Sequence, residues 1–66
     1  MSDPIFAEAR RKFELIPGAG SLQNAISMLR KGGIDQARIR AWAISISEEY
    51  GVVFYCRSVI DQIEAA

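Results

Sequence analysis

The chain has 66 residues with eight Lys or Arg against eight Asp or Glu, so its formal charge is zero, and half of its residues are hydrophobic. Its single Cys and complete lack of His exclude an intrachain disulfide and make a protein-only zinc site untenable. The same lack of an imidazole base argues against Ser–His or Cys–His nucleophilic catalysis.

A chain this small buries only about 60% of its unfolded surface and is marginally stable alone. Disulfides and metals are the usual supports at this size, and self-association is the other. No apolar run reaches the roughly 20 residues that span a bilayer. The N-terminus lacks the basic-then-apolar order of a signal peptide, and one unpaired Cys suits a reducing compartment, so a cytoplasmic protein is expected.

The sequence predicts one all-α domain over residues 1–66, a small bundle of four helices at about 4–16, 21–31, 35–50 and 52–64, completed by self-association. In the first helix Ser2 or Asp3 can cap, and Pro4 suits the first helical position. Phe6, Ala9, Phe13 and Ile16 fall on one face. Glu8 and Lys12 sit four apart with the acid first, the better order for a helical ion pair. Pro17 ends the helix, because the residue before a proline is pushed out of helical geometry.

Gly18-Ala19-Gly20-Ser21 precedes a helix but lacks the third glycine of a dinucleotide loop, and Gln23 stands in its place. No cofactor is implied. Ser21 is expected to cap the second helix, with Leu22, Ala25, Ile26 and Leu29 inward and Met28 at the margin. Arg30 and Lys31 suit its last turn, where cations favour the dipole. Gly32-Gly33 stops it.

Asp35 is the expected N-cap of the third helix, with Ile34 and Ile39 placed as a hydrophobic staple. Ile39, Trp42, Ala43, Ile46 and Tyr50 make its core stripe. Ala37, Ala41 and Ile44 form a second apolar strip on the far side, beside Glu48. A one-sided surface helix does not need that strip, so the helix is expected to be covered on both flanks, by its own chain or by another. Gly51 supplies the left-handed turn at its end.

Val52 to Cys56 has a strand-like composition but no second strand to pair with, except the same segment of another subunit. Read as a helix, Val52, Cys56, Val59, Ile60 and Ile63 face inward and Cys56 is a core hydrophobe. Phe54 and Tyr55 then fall outside the stripe.

Two functional readings follow. The first is a small non-enzymatic regulator or adaptor that binds proteins, as a homodimer, through Ala37, Ala41, Ile44, Phe54 and Tyr55. Aromatic residues are enriched at binding hot spots. The carboxylates read as solubilising charges: Glu48 and Glu49 point about 100° apart on their helix, and no cleft is implied around Asp61 and Glu64.

The second reading is DNA binding. Ser47, Gly51 and Val52 fill the small, glycine and apolar places of a helix–turn, and the stretch Ile46 to Val52 resembles the helix-turn-helix regulators. Val59 to Glu64 looks like the end of a recognition helix in such proteins. The resemblance implies a DNA surface on Arg57 and Ser58, with Arg38 and Arg40 as further basic candidates. At the base-reading positions stand Val53, Phe54, Tyr55 and Cys56. Charge is uneven along the chain: residues 10 to 40 hold seven of the eight cations, and the remainder is mostly acidic. Such asymmetry suits a nucleic-acid surface, complementary protomer patches or solvated faces.

Overall fold

The computed structural model describes residues 4–63. Among these, four helices follow one another with no strand: α1 (Pro4–Leu15), α2 (Ala19–Lys31), α3 (Gln36–Glu49) and α4 (Val53–Asp61). The segment of strand-like composition is therefore the start of a helix. The caps expected on Ser2 or Asp3 lie outside the described residues.

The core is closed by Ala9 and Phe13 of α1, Leu22, Ala25, Ile26 and Leu29 of α2, Ile39, Ala43 and Ile46 of α3, and Cys56, Val59, Ile60 and Ile63 of or just after α4. Each set recurs at helical spacing, which is why these segments are helices in this context. Phe13, Leu22, Leu29 and Ile39 are completely buried, and burial of such a side chain contributes about 1.5–3 kcal/mol. Ile34 joins the same cluster with Ile39, as the staple requires.

The two turns that follow α2 and α3 use one device. After α2, Gly33 (φ 84°) donates its N–H to the Arg30 carbonyl and Ile34 donates to Leu29. After α3, Gly51 (φ 68°) donates to Glu48 and Val52 donates to Ser47 at 2.9 Å. These paired bonds are the Schellman motif, which satisfies carbonyls that a helix end leaves free and needs a residue at positive φ. Asp35 opens α3 in extended geometry, and its carboxylate accepts from the Arg38 N–H at 3.2 Å.

The packing order follows from named contacts. Ile5, at the start of α1, reaches Gly32, at the end of α2: a Cβ built on Gly32 would meet Ile5 Cδ1 at 2.0 Å. These two helices are thus antiparallel. Phe6 faces Trp42 (ring centroids 6.3 Å) and Phe13 faces Tyr50 (5.5 Å), so α1 and α3 run side by side in the same direction.

Several expectations are corrected. Ser21 does not cap α2, which starts two residues earlier with Gly18 at the cap position. The Ser21 hydroxyl instead points back, sharing its proton between the carbonyls of Ile16 (2.6 Å) and Gly18 (3.1 Å). Gly18, in extended geometry, opens the helix with no side-chain cap. Ile16 leaves the core stripe and is 78% exposed, because α1 ends at Leu15 and the bend before Pro17 breaks the helical phase. Glu8 and Lys12 form no ion pair; the salt bridges of α1 run from Arg10. α4 ends at Asp61, three residues short of the expected 64.

α3 is rotated slightly from the expected stripe. Ile39, Ala43 and Ile46 are buried, but Trp42 and Tyr50 are only half-buried, while Ser47 is fully buried. α3 packs on α2 and α4, while its aromatic edge, Trp42 and Tyr50, reaches α1 and its Ser47 edge leads into the turn to α4. On the far side Ile44 packs partly on the core, whereas Ala37 and Ala41 are exposed. The chain itself therefore covers only one end of the second apolar strip.

Candidate interaction surfaces

α4 determines where the largest exposed aromatics stand. Cys56, Val59, Ile60 and Ile63 turn inward, and the residues 100° to 200° away on a helix of this period must turn outward. Phe54 is 83% and Tyr55 69% exposed. Their rings meet edge to face, with centroids 5.5 Å apart and planes at 85°. That is a favoured aromatic geometry, so the two rings form one preordered apolar surface on the first turn of α4. Gly51 and the Schellman bonds fix the start of that turn.

A second exposed apolar pair is Leu15 (82%) and Ile16 at the α1–α2 corner. Sequence periodicity placed Ile16 in the core; Pro17 was the signal that it is not. On α3, Ala37 and Ala41 are open and Ile44 is half-covered.

The basic candidates are dispersed in their roles. The Arg38 guanidinium lies over the Phe6 ring, 5.4 Å from its centroid, and so belongs to the α1–α3 seam. Arg40 is half-buried, while Arg57 and Ser58 are exposed on α4. Four residues that sequence reading did not assemble make a polar cluster on the same seam. Arg10 pairs with Glu14 at 3.2 Å and with Glu49. The Tyr50 hydroxyl donates to the Glu14 carboxylate, and the Arg10 guanidinium lies 5.8 Å from the centre of the Tyr50 ring. The hydrogen bond from Tyr50, with help from Arg10, holds the Glu14 carboxyl below its ordinary value. The same bond to Glu14 pushes the Tyr50 phenol up. The only hint of this cluster in the sequence was the four-residue spacing of Arg10 and Glu14.

Cys56 is buried and free. Among the described residues no group of three or more His, Cys, Asp or Glu is placed to hold a metal ion. No described helix is long and apolar enough to cross a membrane. Comparison with family models, with curated proteins and with solved structures gives no match.

Proposed function

We propose that this chain is a small non-enzymatic regulator or adaptor that acts by protein–protein binding and pairs with a second copy of itself. The observation that carries this reading is the exposed, edge-to-face Phe54–Tyr55 pair. Two neighbouring aromatics bury about 150–250 Å² each when covered, and rigid aromatics dominate binding hot spots. The open end of the α3 strip, Ala37 and Ala41, offers small side chains that let another helix approach closely. Glu14 and Glu49 are engaged by Arg10 and Tyr50 in a structural seam, and Asp35 caps α3. Chemical crosslinking of the wild-type chain, compared with a Phe54→Ala/Tyr55→Ala double variant, tests the reading. Loss of the crosslinked species with the fold intact supports it; equal crosslinking in both sinks it.

A second reading is favoured by one specific arrangement. α3, the Gly51 turn and α4 stand in helix–turn–helix order, with Ser47 buried and Gly51 at positive φ, the places where the resembled regulators carry their small residue and glycine. On that reading α4 would enter a DNA groove with Arg57 and Ser58 forward. DNA retention abolished by Arg57→Gln would favour it over the first.

A further inference from the structure

The outward face of α2 carries cations and neutral polar groups but no acid. No carboxylate occurs between Glu14 and Asp35. Gln23, Asn24, Ser27, Arg30 and Lys31 are all exposed along α2, and Lys12 of α1 is exposed beside them. Asn24 and Ser27 form a ridge between two grooves. On one side lies a groove of about 280 Å³ that includes Arg30 and, across from it on the α4 side, Gln62. On the other lies a groove of about 480 Å³ lined by Lys12 and Lys31. Neither groove is lined by an acidic residue among the described positions. Among the described residues Lys12, Arg30 and Lys31 take part in no salt bridge, whereas Arg10 is tied to two carboxylates.

We propose that this α2 face binds the sugar–phosphate backbone of a nucleic acid duplex. Three uncommitted cations flanking a row of amide and hydroxyl groups is the side-chain set that contacts phosphate and sugar oxygens. An acidic protein surface would meet the same charge. However, protein hot spots are enriched in Trp, Tyr and Arg, and of these the α2 face exposes only Arg30. The aromatics of this chain stand on α4 and in the α1–α3 seam. With no ring for base stacking, the face suits backbone contact without sequence preference, which is the electrostatic mode of duplex binding. The inference is independent of both readings above, since neither uses α2. Joined to the first, it describes an adaptor that sits on nucleic acid by one face and on protein by another.

Fluorescence anisotropy of a labelled duplex of mixed sequence, titrated with the whole chain, tests the proposal. Three phosphate contacts predict that affinity falls about 40-fold between roughly 50 and 200 mM salt. A Lys12→Gln/Arg30→Gln/Lys31→Gln variant should bind at least about tenfold more weakly, and Arg57→Gln should bind as wild type. Circular dichroism checks that each variant keeps its helices. The single variants Lys12→Gln and Lys31→Gln, each lowering the salt slope by about one, serve if the triple variant does not fold. No binding at low salt overturns the proposal. So does wild-type affinity in the charge variants, a loss confined to Arg57→Gln, or competition by polyglutamate as strong as by unlabelled duplex.

Discussion

The Phe13 and Tyr50 rings meet edge to face, centroids 5.5 Å apart with planes at 80°, and so join the last turn of α1 to the end of α3. Phe13 is fully buried and Tyr50 half-buried, so this contact carries the boundary between the core and the polar seam outside it. The Tyr50 hydroxyl continues outward to Glu14, and Arg10 ties Glu14 and Glu49 together.

That seam makes stability depend on pH at both ends. The Glu14 carboxyl is held below its ordinary 4.5, first by the Tyr50 hydrogen bond and then by Arg10. A depressed carboxyl contributes stability above its unfolded value and loses it as pH falls through the folded value. The Tyr50 phenol is raised above 10.0 by the same partner. It contributes below about 10 and loses that contribution as pH rises through the folded value. Tyr50→Phe keeps the ring contact with Phe13 and removes the hydroxyl. The melting temperature of the variant should vary less with pH than that of the wild type on both limbs. Unchanged limbs would show that the hydroxyl contact does not operate in solution.

Gly51 isolates a backbone effect. A Cβ there would meet no atom within 4 Å, yet φ is +68°. Gly51→Ala is expected to destabilise the fold by about 1–2 kcal/mol through left-handed strain alone. For a domain of this size, each 1 kcal/mol lowers the melting temperature by about 4–8 °C. Gly18 is the control: it too has open space, but its φ of 171° is extended backbone, so Gly18→Ala carries no such penalty. Thermal melts of the two variants should separate clearly.

Ser47 is fully buried, and its Oγ has no hydrogen-bond partner among the described residues. An unpaired buried hydroxyl costs about 1–3 kcal/mol, and Ala is the better helix former. Ser47→Ala should therefore leave stability unchanged or raise it by up to about 1 kcal/mol. Ser47→Leu should lower it by about 1–3 kcal/mol, because the site beside the α3–α4 turn has no room for added methylenes. The denaturant midpoint should fall for Ser47→Leu and hold or rise for Ser47→Ala; a marked loss in Ser47→Ala would mean that the hydroxyl is bonded.

The far strip of α3 needs a selective probe. Ile44 packs partly on the core, so Ile44→Glu perturbs the fold as well as any interface. Ala41 is exposed, and Ala41→Glu should leave the melting temperature nearly unchanged while weakening any association that uses this strip. If Ala41→Glu leaves association intact, the interface lies elsewhere, on Phe54 and Tyr55 alone.

Much of this architecture was legible from periodicity and punctuation. Leu22, Ala25, Ile26 and Leu29 recur at helical spacing and are all buried. Asp35, Gly33 and Gly51 mark helix ends by chemistry that is local to the chain. The exposure of Phe54 and Tyr55 followed from phasing α4 on Cys56, Val59, Ile60 and Ile63. What failed was what depends on neighbours in space. Ser47 is buried because the helix after it folds back, which its own wheel position does not reveal. The Arg10–Glu14–Tyr50–Glu49 seam joins residues up to 39 positions apart, beyond the reach of spacing rules. Ser21 had the right chemistry for a cap, but α2 begins at Ala19 and the Ser21 hydroxyl bonds back to the Ile16 and Gly18 carbonyls. The candidate surfaces were only partly legible for the same reason: exposure follows from phase, whereas the occupant does not.

The proposal that this chain works by contact rests on Phe54 and Tyr55. Sedimentation equilibrium of the wild-type chain beside the Phe54→Ala/Tyr55→Ala variant tests it most directly. The account predicts a dimer for the wild type and a monomer for the variant, with equal melting temperatures at low concentration. A wild-type chain that remains monomeric at the highest concentration reached, or a variant that dimerises as readily, would contradict it.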